Sequence, residues 1–132
     1  MFGAHGEFQI CSQPPQMYLE LKGSFNNEGI TLLTNGVVQE LSTHPENTIK
    51  FVVVNLKEFE LLTLDGLDSL EAYFAGVKER GYQRVDYINI NIIAKNMFEK
   101  VWKNSDVEVN FYKDTESYLL VHPSDSYIKQ NW

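Results

Sequence analysis

Residues 51–67, Phe-Val-Val-Val-Asn-Leu-Lys-Glu-Phe-Glu-Leu-Leu-Thr-Leu-Asp-Gly-Leu, constrain the fold more than any other part of the chain. The run opens with four apolar, mostly β-branched residues and no polar alternation, the pattern of a strand covered on both faces. A polar break, Lys57-Glu58-Phe59-Glu60, follows, and Thr63-Leu64-Asp65-Gly66 leads into a helical pattern. Buried strand, loop and helix start are therefore expected in that order. In α/β folds the loop leaving the carboxyl end of a central strand is where ligands and partners are met. A functional surface is accordingly expected near Thr63 to Leu67.

The spacing elsewhere predicts alternating strands and helices. Residues 7–12 and 17–22 alternate around Pro14-Pro15 and predict an antiparallel pair with one face solvated, closed by Gly23. Asn26-Asn27-Glu28 supplies caps for a helix over about 28–43, with Ile30, Leu33, Val37 and Leu41 on its buried stripe and Leu32 and Val38 widening it. A strand over 50–56 follows. The next helix, over 65–80, buries Leu67, Leu70, Phe74 and Val77, carries Asp65 and Asp68 at its positive end and Lys78 and Arg80 at its negative end, and stops at Gly81. Residues 84–92 read as a strand and 94–104 as a helix. Val107, Val109 and Phe111 mark a last strand, and Asp114 caps a short helix over 115–121. Residues 1–6 and the polar stretch 124–132 are expected to be flexible ends, with Tyr127 and Trp132 able to dock. The whole, 1–132, is expected to be one α/β domain, its core about 7–121. It would hold a mixed, largely parallel sheet of about five strands and about four helices.

Composition narrows the function. The 132 residues carry 11 basic and 18 acidic side chains, a net charge of −7, and the cations are scattered. Nucleic acid and anionic membranes are poor partners for such a surface. No segment has the ~20 apolar residues of a membrane span, and no basic-then-apolar leader opens the chain, so a cytoplasmic location is expected. The single cysteine, Cys11, excludes an internal disulfide and suits a buried thiol in a reducing compartment. His5, His44 and His122 lack metal-ligand spacing, and no phosphate-binding or nucleophile motif is present. No metal, cofactor or catalytic set is therefore expected. A pocket gathering His44 or His122 with acidic residues would be needed to revive an enzymatic reading. Asn55 and Asn91 are expected at the carboxyl ends of two adjacent strands, with Asn89 nearby, where their amides could serve a polar ligand or simply satisfy loop backbone.

The order of elements and the central stretch resemble the STAS domain family, the sulfate-transporter and anti-sigma-factor-antagonist domains, over about residues 17–121. Leu21-Lys22-Gly23-Ser24-Phe25 matches the family's early strand ending in glycine before an apolar residue. Val52-Val53-Val54-Asn55-Leu56 matches its central strand, and Gly66-Leu67 falls at the expected distance. The resemblance implies a regulatory, non-enzymatic protein-interaction module of bacterial signalling type. It places Leu64 where the family carries a phosphorylatable serine, Thr63 at its preceding aspartate, and Asn55 at the aspartate that ends the strand. The switch by phosphate at a helix N-terminus is thus missing at position 64. Thr63 is a fallback acceptor whose favoured role is helix capping. Gly23, Phe25, Asn55, Thr63, Leu64, Asp65, Gly66 and Leu67 become the expected partner-binding residues, with Leu61 and Leu62 in the same loop. The implied partner is another protein, a regulator or kinase-like anti-sigma factor, or a second copy in a homodimer. The SEC14-like relatives of the family support an alternative, a carrier or sensor of a small apolar or lipid-like ligand, which requires a sizeable cavity between the third helix and the sheet.

Overall fold

The computed structural model describes residues 3–74, 81–103 and 105–132. In chain order the elements are β1 (Glu7–Gln13), β2 (Gln16–Phe25), α1 (Asn27–Ser42), β3 (Phe51–Leu62), α2 (Leu64–Phe74), β4 (Arg84–Ile88), α3 (Ile92–Trp102), β5 (Glu108–Tyr112), α4 (Thr115–Val121) and α5 (Ser126–Asn131). The sheet runs β1-β2-β3-β4-β5, antiparallel between β1 and β2 and parallel thereafter. The expected mixed, largely parallel sheet is what the chain forms, with five helices among the described residues in place of about four.

This order has a consequence for layering. Each parallel crossover steps one strand in the same direction, and right-handed crossovers that all step one way put their helices on one face. α1, α2 and α3 accordingly share a core with Met17, Leu19, Val52, Val54, Val85 and Tyr87. The opposite face, bearing Tyr18, Val53 and Ile88, must find another cover, because parallel strands are buried on both sides. α4 and α5 provide it through Tyr118 and Ile128, both fully buried. Residues 124–132 are therefore no polar tail. Asp125 caps α5, Tyr127 stacks on Tyr18 with ring centroids 4.1 Å apart, and Trp132 meets the same ring edge-on. The solvated face expected for the β1–β2 pair is likewise covered at Tyr18.

Several boundaries move for identifiable reasons. β3 runs to Leu62 and absorbs the expected loop 57–60. β2 follows it out to Phe25, with Gly23 inside the strand. Between Glu20↔Asn55 and Lys22↔Glu58, and again between Gly23↔Phe59 and Phe25↔Leu62, β3 advances three residues while β2 advances two. These extra residues point Leu56, Phe59 and Leu62 into the core at a spacing of three, which hides a strand from any two-residue period. β4 stops at Ile88 because Asn89 turns left-handed (φ 64°), and Asn91 becomes the cap of α3, which starts two residues before the expected 94. Leu32 and Val38 do not widen the buried stripe of α1 but stand exposed. At the N-terminus Gly3 and His5 are not loose: the Asn26 side chain donates to the Gly3 carbonyl and accepts from the His5 N–H, both at 3.0 Å. The expected burial of Phe74 and Val77, the charges at Lys78 and Arg80 and the last turns of the 65–80 helix lie outside the described residues and side chains. Gly81 is left-handed, φ 77°.

Burial raises the ionisation of the Tyr87 phenol well above its ordinary range, and burial together with the Asp125 carboxylate does the same for Tyr18 and Tyr118. The unfolded chain releases these protons near pH 10 while the folded chain keeps them. The stabilisation is complete below that pH and is lost as pH rises through it. Tyr87 alone contributes a slope of about 1.4 kcal/mol per pH unit above pH 10. Urea titrations between pH 8 and pH 11 should show stability flat at first and then falling, with Tyr87→Phe reducing the slope.

Candidate functional site

The junction between β3 and α2 is built on the carbonyl of Phe25. It accepts the Thr63 N–H at 2.9 Å and lies 3.3 Å from the Thr63 hydroxyl. The same hydroxyl accepts the Gly66 N–H at 3.2 Å and is hydrogen-bonded to the Asp65 carboxylate, which in turn accepts the Gly66 N–H at 2.8 Å. Thr63 thus does what a helix cap does, and Asp65 adds negative charge to the positive helix end. A Cβ on Gly66 would sit 2.7 Å from the Phe25 carbonyl oxygen, so this position holds two backbones in contact. The Ser69 hydroxyl is also hydrogen-bonded to the Asn27 side chain, tying α2 to the start of α1.

The expected contact residues separate into two groups. Phe25, Gly66 and Leu67 are buried and serve the junction, as does Leu62. Leu64 is 83% exposed, Asp65 is exposed, and Gly23 is half-buried with φ 80° and open space where a Cβ would go. Leu61 is partly exposed at 40%. The start of α3, which leaves the same end of the sheet, adds Ile92 at 77% and Ile93 at 60%, residues that no sequence motif singled out. Their signal was available only as two isoleucines directly after a capping asparagine.

Asn55 is buried on the other side of the sheet. Its side-chain oxygen accepts from the Lys57 N–H and from the Asn89 side-chain amide, both at 3.0 Å, and its own side-chain amide reaches Glu20 at 3.4 Å. Asn89, not Asn91, is therefore the partner of Asn55; Asn91 faces α3 and accepts the Ala94 N–H. The two amides line an open polar cleft together with Lys22, Glu58 and Asp114. The Lys22–Glu58 pair is 3.3 Å apart, and that hydrogen bond, with the charges of Glu58 and Glu20, holds the ammonium above its ordinary range.

Both histidines singled out for an enzymatic reading do meet acidic neighbourhoods. The Ser12 hydroxyl lies 2.7 Å from His44 Nε2 and 3.0 Å from Glu40 Oε2. One hydroxyl proton cannot serve both, and the carboxylate meets the serine rather than the far side of the imidazole, where an orienting acid belongs. His122 lines a small polar pocket with Tyr18 and Asp125. There the Asp125 carboxylate is already committed to the hydroxyls of Tyr18 and Tyr118 and to the Ile128 N–H. Among the described residues no group of three or more His, Cys, Asp and Glu is placed to hold a metal ion. No described helix is long and apolar enough to cross a membrane.

Under α1, α2 and α3 lies an apolar cavity lined by Leu33, Val37, Val54, Leu70, Tyr87 and Phe98 among others. The centre of a water molecule could move through about 60 Å³ of it. An apolar cavity that accepts benzene measures about 150 Å³, so this one is smaller than a single aromatic ring requires.

The arrangement defines a STAS-type fold, the SpoIIAA-like architecture. A solved structure that it resembles is that of an uncharacterised protein of the DUF3478 family, with a SpoIIAA-like fold, from Shewanella loihica PV-4. The two match with a TM-score of 0.62 over 92% of this chain and 96% of that one, at 14% sequence identity. No protein-family description and no curated protein matches the sequence.

The division of the junction into core and surface has a direct test. Leu64→Asp should change stability by less than about 0.5 kcal/mol in urea denaturation, whereas Leu67→Asp should cost several kcal/mol or abolish folding by burying an unpaired carboxylate. Asn55→Ala, which strips the partners from the Lys57 N–H and the Asn89 amide, should cost about 1–3 kcal/mol.

Proposed function

We propose that this chain is a non-enzymatic, regulatory protein-interaction module whose contact edge is the start of α2. Leu64, Asp65 and the half-buried Thr63 form its centre, Gly23 flanks it, and Ile92 and Ile93 extend the apolar surface along the same end of the sheet. The observation that carries this reading is Leu64, 83% exposed in a stretch where Leu62 and Leu67 on either side are buried. An apolar side chain held out by a capped helix start contributes nothing to the fold and is suited to a protein contact. On the STAS alignment it stands at the phosphoacceptor position, so the contact would not be broken by phosphate there. Thr63, its hydroxyl engaged by Phe25, Asp65 and Gly66, acts as a cap.

The cavity supports a second reading, a carrier or sensor of an apolar ligand, in which the helices part to enlarge it. Its present size favours the first. The two separate experimentally. Affinity purification from the native cytosol should recover a defined protein with the wild-type chain and lose it with Leu64→Asp and with Ile93→Asp, while both variants keep wild-type thermal stability. Retention of the same partner by both variants would refute the interaction edge. A bound small molecule in native mass spectrometry of the purified chain would replace it with the carrier reading.

A further inference from the structure

The outer edge of β1 is an unblocked edge of this sheet. All seven residues, Glu7–Gln13, pair with β2 in an unbroken register from Glu7↔Lys22 to Gln13↔Gln16. Among the described residues no backbone group outside β2 bonds to them. Exposed edges of this kind are normally blunted by lysine, proline, a bulge or shortness. β1 contains no lysine or proline and has no bulge, and its one charged residue is Glu7. The opposite edge, β5, has five residues and is flanked by Asp106, Lys113 and Asp114.

The side chains along β1 are also incompletely covered. Phe8 and Ile10 are only half-buried against the core. Above them runs one flank of α1. A Cβ on Gly29 would strike the His5 carbonyl, one on Gly36 would lie 3.1 Å from the Phe8 ring, and Glu40 bonds to Ser12. Leu32 falls between Gly29 and Gly36 on that flank, three residues after one and four before the other. It stands 54% exposed above the strand edge.

From this we infer that β1 pairs antiparallel with β1 of a second copy, with Leu32 of each copy packing on the other. A two-fold axis through Ile10 is the one register that pairs all seven residues: Glu7 with Gln13, Phe8 with Ser12, Gln9 with Cys11, and Ile10 with itself. That register keeps side chains of one face together, as an antiparallel ladder requires. It also sets the two Glu7 carboxylates about 20 Å apart along the strands, roughly twice the screening length of ordinary buffers. The pairing is isologous and closes at two copies, whereas β1 on β5 would run head to tail without end. Seven residue pairs and two leucines make a small interface, so micromolar dissociation is expected. The inference is independent of the α2 edge.

Sedimentation equilibrium over roughly 1 to 500 µM should show a monomer of 15.2 kDa giving way to a dimer and nothing larger. Leu32→Lys, at an exposed position, should weaken the dimer at least about tenfold with unchanged circular dichroism and melting temperature. Gln9→Cys should form an intermolecular disulfide with native Cys11 on mild oxidation, and adding Cys11→Ser should abolish it. A chain monomeric throughout that range, open-ended oligomers, a dimer indifferent to Leu32→Lys, or absence of the crosslink in Gln9→Cys would overturn the pairing.

Discussion

Parallel pairing of β3 with both β2 and β4 is the constraint from which the remaining organisation follows. A strand hydrogen-bonded on both sides and covered on both faces can carry no solvated residue, and in the doubly paired run Phe51–Asn55 the four residues after the half-buried Phe51 are all buried. Its neighbours in the sheet are also its neighbours in sequence, so each crossover turns the same way and delivers its helix to the same side. Three helices on one side leave Tyr18, Val53, Asp86 and Ile88 facing outward. A parallel sheet cannot leave that face wet. The chain end is therefore drawn back across it, and α5, only six residues long, is ordered by what it covers rather than by its own propensity.

The second face holds the buried carboxylates, Asp86 and Asp125. The Asp86 carboxylate, fully buried, is neutralised by Arg84 at 2.8 Å and bonded by the Asn110 amide at 3.0 Å. Asp125 collects two tyrosine hydroxyls and caps α5 with the same carboxylate. Each buried charge has the hydrogen bonds that make burial tolerable, and each fixes a geometry that apolar contacts alone would leave free to slide. On the face under α1, α2 and α3 the corresponding work is done by a row of rings in contact, Phe25, Phe59, Phe98, Tyr87 and Phe111. The Trp102 indole donates to the Tyr87 hydroxyl at 2.7 Å.

How much of this was legible in the sequence depends on whether the signal was local. The caps Asn26 and Asp114 and the stripe Ile30, Leu33, Val37 announce α1 and α4, because capping and helical period are read within a few residues. The outer half of β3 was illegible because its two extra residues convert a strand period into a spacing of three. The end of β4 at Asn89 depends on a left-handed residue that an asparagine permits but does not demand. α5 hid for another reason: Asp125 and Tyr127 are fixed by Tyr18 on β2, more than a hundred residues earlier, and Ile128 by a cluster that Tyr18, Val53 and Ile88 form across the sheet. At the candidate site the glycine and the leucine of Gly66-Leu67 were rightly tied to the helix start. Their chemistry is internal, since close approach to the Phe25 carbonyl needs the first and the core needs the second. Of the apolar run Leu64 was left fully outward and Leu61 partly so.

That outward leucine bears on how a contact at this edge would behave. A hydroxyl at a helix start can be given a phosphate, whose charge interacts favourably with the helix dipole and rewrites the surface a partner meets. A leucine there has one chemical state. Control would then have to come from concentration, from competition among partners, or from the state of the partner itself. Self-association through β1 would double the number of edges on each particle. Because β1 and the start of α2 lie on separate parts of the sheet, pairing at one leaves the other open. A weak single contact at the proposed edge would then be strengthened by engaging two sites at once, and its response would depend on the concentration of the chain itself.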